Sequence, residues 1–124
     1  MSEGRGSAIA VTLVCLVLVS QWVASDGATY TVGGAGGWTF NLSNWPKGKS
    51  FKAGDVLDVF NYDPTAHNVV AVDRGGYGSC TTPASAKVYK TGMDRISLAK
   101  GPNYFICNFP GHCQSGMKIA VNAS

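Results

Sequence analysis

Short apolar runs, not long helical periods, organise this chain. Asp55 to Phe60 (DVLDVF) mixes polar with β-branched and apolar residues and reads as a strand with one face buried. Tyr30 to Val32, His67 to Val72 (HNVVAV), Arg95 to Leu98, Asn103 to Cys107 and Lys118 to Val121 are rich in β-branched and aromatic residues. Gly, Pro, Asn and Asp bound them, which predicts further strands. Turns are expected at Asp63-Pro64 and Lys100-Gly101-Pro102, and loops at the glycine-rich stretches 33–37 and 75–76. Cys80 to Thr91 fits neither period, and a short helical turn is expected there. Short strands at this spacing predict an all-β fold, a Greek-key sandwich or barrel of about seven or eight strands.

The amino-terminal segment departs from that pattern. Arg5 precedes an uncharged apolar run from Ala8 to Val19, and small residues follow in VASDGA. The run is shorter than the roughly 20 residues that span a membrane. A positive start, a short apolar run and a small-residue exit predict a secretory signal peptide over residues 1–27, leaving a single domain over 28–124. A retained anchor is the alternative, and the short run argues against it. No polar spacer and apolar tail follow Met117 to Val121, so no lipid anchor is expected.

Removing Glu3, Arg5 and Asp26 with that segment raises the net charge from +3 to +4. The Lys and Arg residues are scattered, whereas a nucleic-acid footprint is clustered. A secreted monomer is expected, with an acidic protein or acidic cell-wall polysaccharide as the better kind of partner, although a solubilising surface explains the charge equally well.

Cysteine usage changes the picture more. Of four cysteines, Cys15 leaves with the signal peptide, so Cys80, Cys107 and Cys113 remain. An oxidising compartment favours a bridge, and an odd count leaves one thiol to be explained.

Metal ligation supplies the explanation. In Cys107-Asn108-Phe109-Pro110-Gly111-His112-Cys113-Gln114-Ser115-Gly116-Met117, a Pro-Gly turn folds the segment back between two strands. Cys107, His112 and Met117 can therefore line one side of a loop. The other histidine, His67, begins a strand about forty residues upstream. Two imidazoles, a thiolate and a weak axial thioether form the donor set of a blue-copper electron-transfer site. Four protein donors leave no open position for substrate, unlike a catalytic metal centre, so an electron carrier is expected and not an enzyme. An edge of His112 is the expected exit for the electron. Asn68, directly after His67, is placed to hydrogen-bond the neighbouring ligand loop and hold Cys107.

With Cys107 on the metal, Cys80 and Cys113 are left to pair; a Cys107–Cys113 bridge leaving Cys80 free is the alternative. Zinc is the rival metal, but it favours Cys and His without Met, and the usual C-x2-C pairs are absent. A cysteine protease is weaker still, because no third group orients a base. Asn41-Leu42-Ser43 fits the N-glycosylation pattern.

These motifs carry a resemblance. HNVV followed by NYFICNFPGHC-x-x-GMKIAV, the opening YTVGG-x-GGW and the segment WP-x-GK-x-F-x-AGDVL resemble the phytocyanins, plant members of the cupredoxin fold, over residues 29 to 121. Within them the chain is most similar to the plantacyanin branch. It has Met117 where stellacyanins have Gln, it lacks the Pro/Ser-rich stalk of uclacyanins, and it keeps all four ligands, which early nodulin-like proteins do not. The resemblance implies a cupredoxin-like sandwich, one copper ion cycling between Cu(II) and Cu(I), a Cys80–Cys113 disulfide and an extracellular matrix location. Some relatives are linked to pollen-tube guidance. That makes an extracellular signalling or adhesion protein with incidental copper the alternative to an electron carrier.

Overall fold

The computed structural model describes residues 27–124; the expected signal peptide lies outside the described residues, apart from Gly27. Among these residues, strands β1 (Thr29–Thr31), β2 (Val56–Asn61), β3 (Val69–Val72), β4 (Lys87–Tyr89), β5 (Met93–Ser97), β6 (Gly101–Ile106) and β7 (Lys118–Ala123) form two sheets, with one α-helix, α1 (Arg74–Ser79), after β3 and two short 3-10 turns at Gly34–Gly36 and Cys113–Ser115. The first sheet has the order β1-β2-β5 and the second β4-β3-β6-β7. β1 runs parallel to β2, and every other pair is antiparallel.

Alternation along the strands builds the sandwich. Leu57, Phe60 and Ile96 from the first sheet and Val69, Phe105, Ile119 and Val121 from the second share one buried apolar cluster. β3 is apolar on both faces for a reason. Val69 turns into this cluster, whereas Val70 joins Ile106 and Cys113 in a second one on the outer side of the sheet, where Tyr77 of α1 packs. Asp55, buried just before β2, accepts from the backbone N–H groups of Ala28 and Lys52, each at 2.8 Å, and so ties β1 to the start of β2. Each fully buried Leu or Phe contributes roughly 1.5–3 kcal/mol, so the inter-sheet cluster is the main source of stability.

The expected strands are present, with ends shifted by at most two residues. The expected helical turn over Cys80 to Thr91 is not: that stretch carries β4, and the helix lies just before it. Two local devices place it there. The Asp73 carboxylate accepts from Gly76 N–H at 2.7 Å and caps the first turn, and Cys80, in left-handed geometry (φ 57°), closes the last. Gly76 is required because a Cβ there would meet the Thr81 carbonyl oxygen at 2.7 Å.

Candidate metal centre

The site sits where one end of β3 meets the loop between β6 and β7. The strand pairing ends at Ile106 opposite Lys118, so the next residues, Cys107 and Met117, face each other, and the Cys107 N–H donates to the Met117 carbonyl at 3.0 Å. Both side chains are fully buried in the inter-sheet cluster. Between them the loop is held by its own backbone. His112 N–H donates to Phe109 C=O, Gly116 N–H to Cys113 C=O, and Met117 N–H to His112 C=O, at 2.9–3.1 Å. Gly111 (φ 79°) gives the turn after Pro110 the positive φ it needs.

His67 enters from the other side. Asp63 starts a turn in which its carboxylate accepts from Thr65 N–H at 2.9 Å and its carbonyl from His67 N–H at 3.0 Å. The outcome is convergence. His67 Nδ1 lies 3.0 Å from His112 Nδ1, and Cys107 Sγ lies 3.5 Å from His112 Nδ1. The three donor atoms all fall within 4.8 Å of one another.

This geometry fits a shared ion. Nitrogen and sulfur donors bind a first-row ion at roughly 2.0–2.3 Å, so donors of one ion stand roughly 3–4 Å apart. The donor set fits as well: a thiolate and two imidazoles with a buried thioether beside them suit one type 1 copper better than zinc. Burial pushes the His67 imidazole below its usual range, and the neighbouring His112 adds to the effect; Asp63 opposes it. The neutral ring that results is the form a metal needs.

That shift sets a pH dependence. Below its ordinary pKa of 6.5 an unfolded His67 takes up a proton, while the folded chain resists it. The unfolded state therefore binds more protons in that window, and folding stability rises with pH there. Metal-free protein is expected to unfold at lower urea concentration at about pH 5 than at neutral pH, with the slope reduced in His67→Gln. An unchanged slope in that variant contradicts the assignment.

Asn68 bonds the residue that follows Cys107. It is buried; its Oδ1 accepts from Asn108 N–H at 3.0 Å, and its Nδ2 donates to Asn108 Oδ1 at 2.6 Å. The residue after one histidine thus clamps the residue after the cysteine. Trp38 extends the clamp, donating from Nε1 to the Asn68 carbonyl at 2.9 Å. Asn68→Ala is expected to cost about 1–3 kcal/mol, because partners are left unsatisfied, and to broaden the visible absorption by loosening Cys107. Urea titration and the spectrum of the copper-loaded variant check this.

Cys80 and Cys113 form the disulfide, which rules out a Cys107–Cys113 bridge; Cys107 is the free, buried thiol among the described residues. Asn41 is exposed, and its N–H donates to the Ser115 carbonyl of the ligand loop at 3.2 Å.

Sequence reasoning missed four contributors. Asn108 had a signal, since an asparagine follows both His67 and Cys107. Trp38 had only its place at the end of the opening YTVGG-x-GGW motif. Phe40 sits in a loop without any pattern, yet its ring meets those of His67 and His112 edge-on, with centroids 5.6 and 5.0 Å away. Phe109 packs against His112 from another side, at 5.7 Å.

Comparison with known proteins agrees with this geometry. The plastocyanin-like domain family matches residues 38–117. A basic blue protein of Cucumis sativus is 69% identical over 96 residues, covering 77% of this chain and 99% of that protein. A chemocyanin of Lilium longiflorum is 53% identical over 127 residues, covering 100% of both chains. The solved structure of cucumber basic protein, a blue copper protein, superposes with a TM-score of 0.77 at 68% identity, covering 78% of this chain and all of that one. The buried thiol, the two converging imidazoles and these similarities together place the chain in the plastocyanin-like blue copper family, among the phytocyanins.

Proposed function

We propose that the protein is a secreted one-electron carrier of the extracellular space or cell wall, in which His67, Cys107, His112 and Met117 hold one copper ion. The observation that carries this reading is the meeting of two imidazole nitrogens and one thiolate sulfur over a buried thioether. When bound, the copper ion supplies a one-electron couple. The chain's own residues do the rest. Cys107 and Met117 are fixed by strand pairing, His112 by the loop's hydrogen bonds, and Asn108, the residue after Cys107, by Asn68, so the donor positions change little with charge state. A rigid donor set keeps the reorganisation cost of electron transfer low.

The exit is the His112 ring, which is part-exposed between Phe40 and Phe109. Four protein donors leave no vacant coordination position, which argues against catalysis. The Cys80–Cys113 disulfide fits an oxidising compartment, and the basic net charge suits an acidic protein or acidic polysaccharide as partner. The reading takes the domain as residues 28–124 and as a monomer.

Potentiometric titration of the copper-loaded protein tests the role. One reversible one-electron wave per copper is expected, with no sustained consumption of dioxygen in the presence of phenols. Steady turnover contradicts the carrier reading.

A further inference from the structure

One motif is not used by the copper site itself: Asn41-Leu42-Ser43. Its place in the fold gives it a role. Phe40, the residue before the sequon, covers the edges of both imidazoles. The sequon is pinned to the ligand loop, with Asn41 N–H donating to Ser115 C=O at 3.2 Å and Leu42 N–H to Gly116 C=O at 2.9 Å. The fit is close, because a Cβ on Gly116 (φ 84°) would lie 3.1 Å from the Asn41 backbone. Asn41 itself takes a left-handed conformation (φ 60°), one that asparagine tolerates better than most residues. Leu42 turns inward against the apolar core, while Asn41 and Ser43 are exposed. Asn41 is therefore exposed on a strap that its backbone hydrogen bonds fix to the ligand loop.

We propose that Asn41 carries an N-linked glycan and that this glycan controls which electron-exchange partners reach the Phe40–His112 face. The modification needs a lipid diphosphate-linked oligosaccharide, met during secretion. The sugar C1 bonds to Asn41 Nδ2, the C1–O bond to the diphosphate breaks, the lipid diphosphate leaves with the electron pair, and the amide loses one proton. A glycan there is bulky and solvated. It stands one residue from the ring that covers the electron exit, so it excludes large partners and leaves small ones free to approach. The proposal rests on the secreted-carrier reading.

The test uses the full chain secreted from a eukaryotic host and loaded with copper. Peptide N-glycosidase digestion in 18O water, followed by mass spectrometry, reads occupancy of Asn41. Oxidation rates are then compared for the glycosylated protein, the enzymatically deglycosylated protein and Ser43→Ala, which removes the sequon without disturbing the left-handed Asn41. The probes are hexacyanoferrate(III) as the small oxidant and a soluble c-type cytochrome as the bulky one. Loss of the glycan is expected to raise the cytochrome rate on the order of tenfold and to leave the hexacyanoferrate rate nearly unchanged. An unmodified Asn41 in a coloured protein overturns the proposal alone, as do equal cytochrome rates with and without the glycan. Absence of the copper colour in every form defeats the carrier reading, and the gating with it.

Discussion

Replacing Cys107 with Ser is expected to abolish the intense visible absorption of the copper(II) protein and its reversible one-electron wave. A hydroxyl is a hard, weakly acidic donor and supplies no sulfur-to-copper(II) charge transfer, while the two imidazoles and the thioether stay where the fold holds them. The fold itself should survive, since Ser and Cys are close in size; burying the new hydroxyl costs about 1–3 kcal/mol if it finds no partner. Visible absorption and circular dichroism on the same sample separate these effects. Retained colour with native circular dichroism contradicts the assignment of Cys107. The variant also separates carrier from signal: biological activity that persists in the colourless protein favours the signalling or adhesion reading, with copper incidental.

The second large effect belongs to the disulfide. Cys80 and Cys113 are separated by 33 residues, and a loop of that length is expected to contribute about 3–4 kcal/mol on the chain-entropy estimate. Small domains have little stability to spare, so the Cys80→Ala/Cys113→Ala variant loses a large part of it. The site suffers too, because Cys113 follows His112 directly and is buried against Val70 and Ile106. The expected result is a clear drop in the urea midpoint of the metal-free protein together with faster loss of copper to a chelator. A midpoint shift equivalent to less than about 1 kcal/mol contradicts this account of the loop.

Much of this was legible in the sequence because it depends on local pattern. The β-branched and apolar residues of DVLDVF and the apolar run HNVVAV specify strands wherever one or both faces are buried. Cys107, His112 and Met117 share one short loop closed by a Pro-Gly turn, so their proximity is nearly a local property. The rest depends on tertiary contacts. RGGYGS reads as a loop on propensity, since glycine is a poor helix former; it becomes α1 because Asp73 caps it and Tyr77 packs on the outer face of the second sheet. β4 has little alternation to announce it, as Lys87 and Val88 are both exposed, and its pairing with β3 decides its form. Phe40 is one aromatic in a loop, and only the folded chain brings it over two histidines distant in sequence. Asn108 lies between these cases: its position one residue after a ligand mirrors that of Asn68, but their hydrogen bonds cross forty residues.

The central claim is that His67, Cys107, His112 and Met117 bind one copper ion. The most direct measurement is the visible spectrum of the purified protein titrated with copper(II). The account predicts an intense thiolate-to-copper(II) band that grows to one equivalent, stops there and bleaches on reduction by one electron. A protein that binds zinc in preference and stays colourless with one equivalent of copper(II) contradicts it.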